Sequence, residues 1–174
     1  MNNQLITFND IKSSVKSLSE HVKEDRVNNA ILEAQQLDLK PRIGEQMYIE
    51  LLETKATPTE AFRALMLGAI YTNPSDGLKY EFAGVKKALS YFAYSRLIKG
   101  ISSSVASTGF VQKNNDFSQH TQLKEKLAAS KDAEITGAAY LQECVDYIKR
   151  NPATFPKFEV AAVKRKTSFK VIGD

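Results

Sequence analysis

Few side chains in this sequence have the type and spacing for chemistry, and they form no set. Cys144 is the single cysteine, and His21 and His120 are the two histidines. A reactive thiolate needs a base or a cationic neighbour to lower its pKa. Cys144 instead falls among the apolar residues Leu141, Val145 and Ile148 of a helical pattern, which suits an inert core residue. Neither histidine stands beside a cysteine or another histidine, so both read as surface or turn residues. Aspartates and glutamates are scattered, with no pair set apart as an acid–base couple. Ser107-Thr108-Gly109 lacks the glycine spacing and the lysine of a phosphate loop. Tyr91, Phe92 and Tyr94 read as core or subunit contact ahead of a base-stacking platform. Enzyme chemistry is not visible in these residues, and no catalytic residue, metal ligand or cofactor is expected.

Charge offers one further group. The net charge is +4 over 174 residues, too modest for a nucleic-acid binder if spread evenly. It is uneven: Lys164, Arg165, Lys166 and Lys170 gather near the end of the sequence. Such a cluster is either merely solvated or a contact to phosphate or an acidic partner.

Length and composition bound the rest. The chain suffices for one domain with a hydrophobic core and is short for two. No apolar run approaches the roughly 20 residues of a membrane span. One cysteine allows no intrachain disulfide, and the first residues lack the basic and apolar regions of a signal peptide. A cytosolic origin is expected, with no membrane partner.

Outside one central segment and the two ends, the periodicity is helical. Helices are expected near 27–38, 45–53, 58–71, 78–99 and 121–150. The first is capped by Asp25, carries Val27, Ile31, Ala34 and Leu37, and is punctuated by Pro41 and Gly44. Thr57-Pro58-Thr59-Glu60 signals a helix start, with threonine as cap, proline in the first turn and glutamate closing a capping box. Asn73-Pro74-Ser75-Asp76-Gly77 marks a turn. The helix over 78–99 is apolar on more than one face, through Phe82, Val85, Leu89 and Phe92 and again through Tyr91, Tyr94 and Ile98, so it should be central. Ser130-Lys131-Asp132 leaves one long helix or two shorter ones open over 121–150. The expected fold class is all-α, a small helical bundle.

Two segments depart from that pattern. Residues 101–120 are rich in Ser, Thr, Asn and Gly, which compete with helix for backbone hydrogen bonds. A loop of this length in a compact domain is uncommon and usually functional or disordered. Val105, Phe110, Val111 and Phe117 are spaced along it, as in a chain that touches something other than its own core. From residue 154 on, Phe158, Val160, Ala162, Phe169 and Val171 alternate with polar residues, an extended period with no second strand of similar quality to pair with. The expected organisation is a helical domain over 1–153 with a projecting loop over 101–120, then an extended arm over 154–174. Phe110, Val111, Phe117, Phe158, Val160, Phe169 and Val171 are the expected subunit or partner contacts. The arm is expected to add a strand to a neighbour's sheet.

One resemblance reaches further. The stretch from Val27-Asn28-Asn29-Ala30-Ile31 through Leu39-Lys40-Pro41-Arg42-Ile43-Gly44-Glu45, followed by Tyr48 and Leu51-Leu52, resembles the opening of helical head–tail connector (adaptor) proteins of tailed bacteriophages. The helix Ala88-Leu89-Ser90-Tyr91-Phe92-Ala93-Tyr94-Ser95-Arg96 is similar to a later core helix of those proteins. Thr108-Gly109-Phe110-Val111-Gln112-Lys113-Asn114 is similar to the loop after it. The nearest likeness is to neck proteins of crAss-like phages and related prophages, over about residues 25–148. The resemblance implies a helical subunit without enzymatic activity or cofactor, forming a homo-oligomeric ring, usually twelve-fold, under the portal. Such a ring sits in the virion neck between capsid and tail, extends the channel for genomic DNA and docks the tail or further neck proteins. The competing expectation is a non-enzymatic, helical nucleic-acid-binding module acting through its basic C-terminal residues.

Overall fold

The computed structural model describes residues 3–15, 22–101, 104–106, 109–111 and 123–158, and the fold over these is mostly helical with two short antiparallel strand pairs. Helix α1 is Phe8–Ser14, opened by a reciprocal capping box in which the Asp10 N–H donates to the Thr7 hydroxyl and the Thr7 N–H donates to the Asp10 carboxylate. Helix α2, Glu24–Glu33, passes into a π-helical segment, Ala34–Leu39, and on into α3, Lys40–Ile43. The helical run therefore passes through Pro41. Its ring would crowd the carbonyl four residues back in an α-helix, and the wider π turn falls directly before it, with the Lys40 N–H reaching the Gln35 carbonyl. Gly44, at φ 84°, is where the chain breaks.

Helix α4 is Glu45–Thr54 and α5 is Glu60–Leu67. The cap of α5 is Thr59, whose hydroxyl accepts from the Phe62 N–H at 3.4 Å; Pro58 lies before the helix instead of in its first turn. Beyond α5 the expected helices near 58–71 and 78–99 are both corrected. Residues Ala69–Thr72 form strand β1 and Lys79–Phe82 form β2, paired antiparallel with Tyr71 opposite Tyr80. The turn expected at residues 73–77 closes this hairpin, with the Asn73 N–H donating to the Leu78 carbonyl at 2.9 Å. At its base two glycines cross. Gly68 and Gly84 have φ of 88° and 86°, and a Cβ on Gly68 would sit 2.6 Å from the Phe82 carbonyl oxygen. No other residue fits either place without moving backbone.

Helix α6, Val85–Ile101, is the central element and packs against α1, α2, the π segment, α5 and α7. It buries Val85, Ala88, Leu89, Phe92, Ala93 and Leu97. After it come β3, Ser104–Ala106, and β4, Gly109–Val111, a second short hairpin inside the segment expected to be a plain loop. Helix α7, Leu123–Arg150, is a single helix of 28 residues without a break at Ser130, about 42 Å long at 1.5 Å per residue. Its buried stripe against α6 runs Ser130, Ala133, Gly137, Leu141, Cys144 and Ile148. Gly137 lets the helices approach: a Cβ there would meet the Ala88 carbonyl and the Phe92 ring at 3.2 Å. Ser130 and Ser95, both buried, satisfy each other across the contact at 2.9 Å.

Candidate interaction surfaces

The side chains that the fold gathers most tightly sit where the β1–β2 hairpin meets the C-terminal half of α7. Tyr147 stacks on Phe82 at 4.4 Å and meets Tyr71 edge-on at 4.7 Å. Phe155 closes the cluster against Tyr147 and Phe62. Arg150 lies over the Tyr80 ring at 3.9 Å and donates to the Tyr71 hydroxyl at 2.9 Å. Tyr80 in turn donates to Asp76, which also accepts from the Leu78 N–H and the Asn73 amide. Those three donors, the Leu78 N–H foremost, hold the Asp76 carboxyl below the usual carboxylate range. Burial raises the Tyr147 hydroxyl above its ordinary value. Every group is spent on fixing the hairpin, so the cluster is a clasp.

What the clasp leaves outside is apolar. On the hairpin and its approach, Leu67 is 60 %, Ile70 68 % and Leu78 60 % exposed. A second apolar surface lies towards the other end of α7, where Leu127 is 52 % and Ile135 59 % exposed. With Ala138, Lys131, Lys99 and Glu134 these two line a shallow groove of about 520 Å³. From Arg150, under the hairpin, to Leu127 is roughly 35 Å along the helix at 1.5 Å per residue. The two surfaces are therefore distinct.

Between them several polar groups of the bundle are paired internally. In the π segment, buried Gln35 accepts from the Leu5 N–H at 2.6 Å and donates to the Asn3 carbonyl and the Tyr48 hydroxyl, tying down the N-terminal residues. Arg96 on α6 forks onto Asp38 at 2.8 and 3.1 Å and reaches Glu33 at 3.4 Å. Burial raises the Asp38 carboxyl above its ordinary value, and Arg96 works against that rise. Cys144 is buried and its thiol is pushed up to about 12, chiefly by burial, as its apolar surroundings in the sequence suggest. Among the described residues no group of three His, Cys, Asp or Glu side chains is placed to hold a metal, and no helix is long and apolar enough to cross a membrane.

The predicted contact residues fall unevenly on this frame. Phe110 and Val111 lie in β4, opposite Val105 and Ser104. Phe117, Val160, Lys164, Arg165, Lys166, Phe169, Lys170 and Val171 lie outside the described residues. Phe158 packs half-buried against the core of its own chain. The boundary of the arm is corrected accordingly. Residues 152–157 make turns, and Phe155 is fully buried, so the domain extends at least to Phe158 instead of ending at 153. A chain cut after Ala153 would lose Phe155 from the core; a truncation that spares it begins after Phe158.

Sequence reasoning missed the exposed apolar surfaces. Leu127 and Ile135 fit a helical pattern, and nothing in spacing alone tells an outward apolar position from an inward one. Helix α1 had a signal, the Thr7–Asp10 capping box.

A family model described as a family of unknown function, DUF6712, matches residues 39–168. The chain belongs to this family. The match runs from the end of the π segment through both hairpins and all of α7. No curated protein and no solved structure matches it.

Proposed function

We propose that this DUF6712 chain is a structural, non-catalytic subunit of the head–tail connector in the neck of a tailed bacteriophage. In this reading, copies close into a ring under the portal, extend the DNA channel and offer the tail a docking surface. The observation that carries it is the pair of separate apolar surfaces, one on the hairpin and one on the N-terminal half of α7. A cyclic ring needs a heterologous interface, with different patches on the two sides of each subunit. Ile70 and Leu78 of one copy against Leu127 and Ile135 of the next would supply it. The mostly helical fold and the resemblance of residues 25–148 to connector proteins point the same way. Residues 159–171, with the basic group Lys164, Arg165, Lys166 and Lys170, serve in this proposal as the arm that reaches the portal or a further neck protein.

Electron microscopy of the purified chain, alone and mixed with a portal protein, tests this. Rings in either sample are expected. A chain ending at Phe158 should stay folded but fail to join the portal. Monomers in both samples, with DNA binding that falls steeply as salt rises, would replace the connector by the nucleic-acid-binding module.

A further inference from the structure

A third surface borders the hairpin's apolar surface, sharing Leu67 with it, and is separate from the groove on α7. Between the N-terminal segment, the end of α4, α5 and the start of α6 lies a cleft of about 460 Å³. That is the size of a site for one or two large side chains or a small ligand. Its floor is apolar: Leu5, Leu51 and Phe62 are buried there, with Met66 half-buried beside them. Its rim is cationic, with Lys55 from the turn after α4, Arg63 from α5 and Lys86 from α6. Among the described residues no carboxylate lines it.

The three cations are not equally engaged. Lys86 is paired with Asp10 at 3.2 Å, and the Lys55 ammonium lies 3.5 Å from the Gln4 carbonyl oxygen. Arg63 is exposed and makes no ion pair among the described residues. It stands one turn before Leu67 on α5, so the free guanidinium and the apolar wall share a face.

We infer that this cleft binds an acidic peptide segment of a partner protein, a leucine or phenylalanine anchor on the floor with flanking carboxylates on Arg63 and its cationic neighbours. The charge pattern selects the class of ligand. Cations contributed by three separate elements surround the apolar floor, so the complementary ligand has one apolar body and several carboxylates around it. A fatty acid offers a single carboxylate at one end. Nucleic acid offers the charge without the aliphatic anchor. An acidic segment around a large apolar residue offers both, and the planar guanidinium of Arg63 suits a carboxylate held bidentately.

Fluorescence anisotropy of the full chain decides it. The probes are labelled pools of short peptides with Asp and Glu around Leu or Phe, the same pools with Lys and Arg replacing the acids, and the same with Ser replacing the anchor. Dodecanoate and a single-stranded oligonucleotide complete the set. The acidic, anchored pool should bind, and both altered pools should bind at least about tenfold more weakly. Arg63→Glu and Leu67→Asp, both at exposed positions, should each cut that binding about tenfold while the thermal melt is unchanged. The proposal is overturned if the acidic, anchored pool does not bind or if neither substitution weakens it. Displacement of the peptide by dodecanoate, or preference for the oligonucleotide, would likewise assign the cleft to that other class.

Discussion

Around residues 141–150, α7 buries Leu141, Cys144, Val145, Tyr147 and Ile148 against α6, the β1–β2 hairpin and Phe155. Around residues 127–138 the same helix buries only Ser130, Ala133 and Gly137 and leaves Leu127, Ile135 and Ala138 outside. Small residues on the inward face bring α6 close, and the large apolar ones are turned out. A helix in a finished core places its large side chains the other way round. The N-terminal half of α7 thus resembles a core still lacking one layer. A neighbouring subunit is the layer proposed above.

The sharpest way to probe this contrast is to injure each half and compare the costs. Tyr147→Ala empties a site shared by three aromatic rings, and it should lower unfolding free energy by about 4 kcal/mol in urea titrations. Gly84→Ala acts at the same end through the backbone, forcing a Cβ into the Gly68 crossing at positive φ. A loss of about 3 kcal/mol is expected, and restoring it by a second substitution of a larger residue should not succeed.

Arg96→Met tests the ground between the two halves. The expected cost is about 2 kcal/mol near neutral pH, from stranding a half-buried carboxylate. Its pH dependence has a definite sign. Burial already raises Asp38 above its ordinary value, and loss of Arg96 removes what opposes that rise. The folded variant then binds more protons than the unfolded chain above the ordinary carboxylate range, so its stability rises as pH falls. The deficit should shrink between about pH 7 and pH 4, read from urea midpoints; a deficit that grows on acidification would contradict the assignment.

At the other end, Ile135→Ser should change the stability of the isolated chain by less than about 0.5 kcal/mol. Any large effect on the monomer would mean that the groove on α7 is covered from within.

Much of the helical plan was legible in the residues, and the parts that were not have physical causes. The helix ends set by Gly44 and the turn at Asn73-Pro74-Ser75-Asp76-Gly77 follow from backbone chemistry that a sequence displays. The hairpin does not. Ile70 and Phe82 fall at positions that also satisfy helical spacing, and strands of four residues are too short for their period of two to stand out. Tyr71 and Tyr80 declare themselves only as a cross-strand pair. Pro41 looked like a stop because a proline ends an α-helix; the π segment that accommodates it has no compositional mark. The apolar surfaces were invisible for a related reason: Leu127 and Ile135 differ from Leu141 and Ile148 in what faces them, not in type or period. The cleft beside α5 was equally hidden, since Lys55, Arg63 and Lys86 meet only after folding.

One measurement tests the ring account most directly. Cys144 is buried with a thiol raised to about 12, so cysteines introduced at the surface would be the reactive ones. Ile70→Cys and Ile135→Cys chains, tagged differently, are mixed under mild oxidation and resolved on a non-reducing gel. The account predicts a prominent crosslink between the two tags, because the hairpin of one subunit meets α7 of the next. Crosslinks only between like chains, or none above the level of a cysteine placed on an exposed polar face, would contradict it.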